Sequence, residues 1–404
     1  MVDHDARALR SDGVTQLPSR YQPHAGIERR FGARVRRLGS MLVEGDPLAD
    51  AVVTSLASLP HTQRAALIDT ALRSGIDAVP EAPAALRALF AQLDTVPFWF
   101  DPQRADRGGA VLLRAGPLGG LVLGTRSLIA GYCSPAGNKP LIFSQRLQYD
   151  TRRRLIETSR FVQETSRRNG MTRRGYGFRA AVKVRLMHAQ VRRILCVHPE
   201  WKASEWGTPI NQFDMAGTVL LFSFALTDGL RKLGVPVRDD EMEDNLHLWR
   251  YVGWLMGVRE ELLCTSVREA EDLVAMLRCT QGPPDRDSRT LAHAMLRGPV
   301  AYATTPRERA RAERVVAFSY AVSRYLVTDD FADALEFPHT LWRASIPALR
   351  LAVSSAESVR RSVPGLERIA EGAGLSYWER VVQGGLEGRA ITFEMPERLG
   401  SNAS

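Results

Sequence analysis

Phe178-Arg-Ala-Ala-Val-Lys-Val-Arg-Leu-Met-His188-Ala-Gln-Val-Arg-Arg-Ile-Leu-Cys196 sets the fold class and holds the chief candidate for chemistry. It contains no glycine or proline, and Val184, Met187, Val191 and Leu195 recur at helical spacing, which predicts an amphipathic helix with that stripe facing the core. Arg185, His188 and Arg192 stand three and four residues apart on the neighbouring face, with Ala181 one turn or so below. Three readings fit that face. It is a solvated basic surface, it carries a hydrogen-bonded core histidine, or it presents an imidazole to a metal with arginine forks for an anion.

Outward from this helix the pattern stays helical. Helices are predicted at Ile27–Val43, Pro47–Leu59, Gln63–Arg73, Ala82–Leu93, Ser144–Asn169, Thr208–Leu233, Asp239–Met256, Ser266–Leu277, Asp287–Leu296, Arg307–Val327, Leu341–Ser362 and Trp378–Gln383. Asp46-Pro47 and Thr208-Pro209 each read as an N-cap followed by proline at N1. The glycine-rich stretch Arg107–Ala136 fits either close-packed short helices or a pair of strands. Strand alternation is otherwise nearly absent, so the chain is expected to be all-α. Residues 1–26, polar and without period, are expected to form a mobile tail ahead of one domain over 27–395.

The 404 residues are 45% hydrophobic and 25% charged, ordinary for a globular protein. No apolar run reaches the ~20 residues needed to cross a bilayer. The start Met1-Val-Asp-His-Asp-Ala-Arg has no basic region followed by an apolar stretch, which points to a cytoplasmic protein. Cys133, Cys196, Cys264 and Cys279 form no C-x-x-C pair, excluding a zinc site of the usual spacing and covalent c-type haem. The net charge of +9 is concentrated between Arg146 and Arg193, where fourteen Lys or Arg face three acids. Such a region suits an anionic ligand or a solvated face. Without a recognisable binding motif, a specific nucleic-acid partner is not expected.

On the preceding predicted helix Arg154, Glu157, Thr158 and Phe161 share one face. A surface pair of Glu157 with Arg154 or Arg160 ranks first on spacing alone. Buried beside a metal, the same residues could stabilise negative charge (Arg154), move a proton (Glu157) and hydrogen-bond a bound ligand (Thr158). His198 precedes a proline at a helix end, and His247 sits among Leu246, Leu248 and Trp249, as a core histidine would. H-E-x-x-H, G-x-S-x-G, P-loop and G-x-G-x-x-G patterns are missing.

Three segments in order, Lys183-Val-Arg-Leu-Met-His188-Ala-Gln-Val-Arg192, Trp206-Gly-Thr-Pro-Ile-Asn-Gln-Phe-Asp-Met215 and Trp249-Arg-Tyr-Val-Gly-Trp-Leu-Met-Gly-Val258, resemble the latex clearing proteins of the rubber oxygenase and mpaB-type oxygenase family. The resemblance implies a globin-like helical core with additional surrounding helices and non-covalent haem b (iron protoporphyrin IX). It implies His188 as the iron ligand, Arg185 and Arg192 around the haem, and Arg154 and Thr158 on the distal side. Glu157 stands where the rubber-cleaving pattern has lysine, and Asn138 aligns with an acidic residue there. The expected activity is oxidation, including C=C cleavage, of a small hydrophobic, isoprenoid-like intracellular substrate with dioxygen or hydrogen peroxide. A peroxide-dependent peroxygenase or peroxidase and a non-catalytic haem or gas carrier or sensor are the alternatives.

Overall fold

A computed structural model describes residues 17–144 and 151–386, without the side chains at 151–154 and 386. Among the described residues every regular element is helical. In chain order, the helices that position the site or frame its surroundings are α1 (Pro47–Ser55), α2 (Pro102–Ala115), α3 (Thr151–Ser166), α4 (Tyr176–Cys196), α5 (Gln212–Phe222), α6 (Asp239–Leu255), α7 (Pro306–Val327), α8 (Ile346–Ser362) and α9 (Leu366–Leu386).

The glycine-rich stretch resolves as helix packing. On α2, a Cβ at Gly108 would lie 2.2 Å from the Asp244 carbonyl oxygen, and one at Gly109 2.2 Å from that of Ser166. The glycine pair therefore lets α2 wedge between α6 and α3 at backbone contact. Beyond Gly116, whose φ of +48° ends α2, come two short helices joined by a π-turn at Leu123–Ser127. One apolar core takes in residues from Ile27 to Trp378. A second cluster, with Ile129, Leu291 and Tyr320, lies beneath α7.

Several boundaries move. The helix expected over Ile27–Val43 breaks at Gly32 (φ +54°). The one expected over Thr208–Leu233 starts at Gln212, capped by the Asn211 side chain, and breaks again at Ser223. Thr208 is not a cap: its amide and hydroxyl donate to the Leu42 and Val43 carbonyls. The shorter helix expected at Trp378–Gln383 is part of α9. The beginning of Ser144–Asn169 lies outside the described residues as far as 150. Of the expected tail, the described part is strapped down. Ser19, Arg20, Gln22 and His24 donate backbone bonds to residues 204, 205, 280 and 279. Arg20 pairs with Asp214 through contacts of 2.8 and 2.9 Å.

Candidate functional site

Helix α4 is buried on nearly every side, which removes the solvated basic surface from consideration. Arg185 is only 2% exposed, and Arg192 is buried as well. Burying a guanidinium without a partner is costly, and α1 supplies the partners. Arg185 donates to both Asp46 oxygens (2.6 and 2.9 Å), to Gln92 Oε1 (2.9 Å) and to the Leu255 carbonyl (3.2 Å). Arg192 donates to the Asp50 carboxylate (2.8 Å) and the Ile210 carbonyl (2.8 Å). Burial pushes the Asp50 carboxyl up, against the lowering pull of Arg192. Two ion pairs thus clamp α4 to α1 on either side of His188. The guanidinium groups expected around the haem are committed to protein carboxylates, and this geometry gives no support to their holding propionates.

The clamp demands a glycine. Gly257 has φ +78°, and a Cβ there would sit 2.2 Å from Asp46 Oδ2 and 2.7 Å from Arg185 Nε. Gly257→Ala should therefore destabilise the fold by about 2 kcal/mol or more, from the left-handed backbone and the collision together. Chemical denaturation measures it, and a loss under half of that would mean the loop relaxes freely.

His188 is half-buried on another side of α4. A Cβ on Gly177 of that helix would lie 2.6 Å from the Glu164 carbonyl oxygen and 2.8 Å from Thr165 Cα, so this side of α4 faces α3. His188 lies eleven residues, three turns, further along and on the same side. Eleven residues back from Thr165 along α3, again on one side, is Arg154. The two helices are joined across residues 167–175 and pack against each other. Helical rise from the Gly177–Thr165 contact projects His188 toward the stretch of α3 that carries Arg154, Glu157 and Thr158. The side chain of Arg154 lies outside the described residues; Glu157 and Thr158 are half-buried.

Burial along α3 changes abruptly. Phe161–Ser166 are all buried, whereas Leu155–Arg160 are all half-buried, with Ile156 packed against Gly385 of α9. The hairpin is closed by backbone contact at Gly177, while His188 and Leu155–Arg160 are half-buried. Phe161 meets the Trp249 edge (6.0 Å between centroids), and Trp249 stacks on Phe222 (4.9 Å), giving the hairpin an aromatic wall from α6 and α5. The surface pairing expected of Arg160 goes elsewhere: it binds Glu164 at 2.6 Å.

The rival histidines are committed. His247 Nε2 accepts the Asp101 amide (2.9 Å), its ring lies parallel to Phe100, and burial pushes its pKa down. It is the core histidine expected. His198 Nδ1 accepts the Glu200 amide in the turn after α4. Asn138, 2% exposed, donates to the Tyr132 carbonyl and Ser288 Oγ and has no basic group to offer. The four cysteines are free thiols, and no group of three His, Cys, Asp or Glu side chains among the described residues could hold a metal ion.

These residues suit a haem better than a bare metal ion. A single neutral imidazole on a rigid helix is a sufficient protein ligand for haem iron, whereas zinc wants three or four ligands. Small Ala181, about two turns before His188 on α4, and the apolar residues around it suit the approach of a flat apolar ring. Residues 104–356 match the family described as "ER-bound oxygenase mpaB/B'/Rubber oxygenase, catalytic domain", and the chain belongs to that family. A rubber oxygenase of Streptomyces sp. (strain K30) is 26% identical over 197 residues, 48% of this chain and 47% of that protein. The sequence match thus spans about half the length of this curated relative. The fold is that of a latex clearing protein solved in the closed state, with a TM-score of 0.64 at 22% identity over 88% of this chain and 95% of that one.

Residue spacing does not single out Asp46 and Asp50 as partners of α4. Asp46 was legible only as a helix cap, which it also is, its side chain accepting from the Ala49 amide. The signal that points to both is an i, i+4 acid pair that a buried i, i+7 arginine pair would need.

Proposed function

We propose that this protein is a haem-dependent oxygenase that oxidises a hydrophobic, isoprenoid-like substrate, with His188 as the iron ligand. What carries the proposal is the half-buried His188 on an otherwise buried helix, on the side of that helix which Gly177 turns toward α3. Bound haem would supply an iron at which dioxygen or peroxide is activated. The other roles belong to the chain. The α1 clamp fixes the rotation of α4 and with it the direction of the imidazole. Thr158 offers a hydroxyl hydrogen bond from α3, and Glu157 holds or delivers a proton at its carboxylate. Phe161, Trp249 and Phe222 pack into a buried apolar wall that keeps water from this side of α3.

The acid at Glu157 also favours a second reading, in which hydrogen peroxide is the oxidant, because breaking an O–O bond unevenly needs a proton donor. Purified protein should show a Soret band that shifts on adding dithionite, and a featureless spectrum after haem reconstitution would refute the proposal. Glu157→Gln should keep the haem and slow turnover by roughly 10²-fold, the lower end for a lost general acid or base. If reaction with peroxide falls by the same factor while oxygen-driven turnover is absent, peroxide is the oxidant. Equal rates for variant and wild type would leave Glu157 with no part in the chemistry.

A further inference from the structure

Arg160 stands between two acids of its own helix, three residues after Glu157 and four before Glu164, and at those spacings its side chain can reach either. It takes Glu164, with Arg160 Nη2 2.6 Å from Glu164 Oε1. Burial decides the choice. The Glu164 side chain is 5% exposed, and a carboxylate so far from water needs guanidinium groups against it. Arg167 comes only to 3.6 Å of the same oxygen and is shared with Glu379 of α9 at 3.2 Å. A row Glu379–Arg167–Glu164–Arg160 thus runs along α3 and ends one turn from Glu157. The charged groups of the neighbouring helices are engaged elsewhere. On α4, Lys183 is turned to Asp69 (2.6 Å), and His188 is the titratable group projected toward this stretch. On the helix Arg286–Ala301, which also packs on α3, Asp287, Arg289 and Arg297 pair with Lys139, Glu336 and Glu313. His293 there lies between the Tyr320 hydroxyl and the Leu335 carbonyl, and Arg286 is exposed.

We propose that Glu164 is a positioning residue for the proton step of Glu157. By binding Arg160 it keeps that guanidinium off the Glu157 carboxyl, which is then able to carry a proton and not only to lose one. Released from Glu164, Arg160 would add its charge to whatever else Glu157 meets, favour the carboxylate and remove its use as an acid. The role rests on Glu157 being the proton donor, and it gives the buried acid on α3 a part in the chemistry without contact with the reacting atoms.

Haem-loaded full-length protein, its reaction with hydrogen peroxide followed in the Soret band across a range of pH, tests it. Glu164→Gln, equal in size and uncharged, should slow the reaction about tenfold at neutral pH and move its pH profile toward acid, where Glu157 regains its proton and the rate recovers. Removing the released cation as well, in Glu164→Gln/Arg160→Met, should bring the wild-type profile back. Glu164→Met, apolar and of similar length, carries the same expectation if Glu164→Gln folds poorly. Infrared spectra read the exchange without turnover: the carboxylic-acid band that Glu157→Gln removes should give way to carboxylate at lower pH in Glu164→Gln than in wild type. Glu157→Gln separates the failures. If it reacts with peroxide as wild type does, Glu157 is not the proton donor, and the role of Glu164 falls with it. If it is slow while Glu164→Gln keeps the wild-type profile, or while the double variant stays as slow as Glu164→Gln, the role of Glu164 is refuted and that of Glu157 stands.

Discussion

Replacing His188 by alanine is expected to leave a helical, soluble protein that retains less than roughly a tenth of the wild-type haem, since the imidazole–iron bond is the one covalent anchor a non-covalent haem has. The other candidates do not replace it. The Nε2 lone pair of His247 is taken by the Asp101 amide, and burial among Phe100, Trp99 and Tyr251 fixes its ring. Burial pushes its pKa down, and its Nε2 is not available to iron. His198 stands in the turn that follows α4 rather than on the helix. His247→Ala should therefore disturb packing and keep the Soret band, while His188→Ala should lose the band and keep the helical circular dichroism. Added imidazole should partly restore haem binding to His188→Ala if the lost side chain was the ligand. A variant that keeps its full band without imidazole would place the iron on another residue and sink the assignment of α4 as the ligand-bearing helix.

How far this site was legible depended on whether its contacts were local. The period of α4 and the shared face of Glu157, Thr158 and Phe161 are properties of single helices, and both follow from residue spacing. The fate of the arginines is not local. A hydrophobic stripe assigns the inward side of a helix by its apolar residues and leaves charge outside, but Asp46 approaches Arg185 from 139 residues away in sequence. The glycine pair at 108–109 was ambiguous for the same reason, because the backbones that exclude a Cβ belong to Asp244 and Ser166. Residues 19–24 have no period to read, yet their backbone amides pair with distant carbonyls. Relating His188 to the Glu157 stretch takes one tertiary contact that the sequence does not reveal, that of Gly177 against Thr165.

Asp46→Ala should be the most destabilising of the substitutions at the clamp. It leaves the guanidinium of Arg185, 2% exposed, with only the Gln92 and Leu255 oxygens to accept from it. Removing one partner of a buried ion pair costs about 3–5 kcal/mol. Loss of the α1 cap adds about 1 kcal/mol, so the total is a large share of the ~5–15 kcal/mol that holds a folded protein together. Asp46→Asn separates the two contributions, since an amide oxygen can still cap α1 and bond one guanidinium N–H but carries no charge. Asp50→Asn should cost less, because the Asp50 side chain is 37% exposed and burial already works against its ionised form. Urea midpoints measured at constant slope give all three values. The decisive comparison is Asp46→Ala/Arg185→Met. Removing both charges eliminates the stranded cation, so the double variant should be more stable than Asp46→Ala alone. A double variant as unstable as the sum of its parts would mean that the two side chains act independently. The rotation of α4, and the direction in which His188 points, would then have to be set by the apolar contacts of the helix and not by the ion pair.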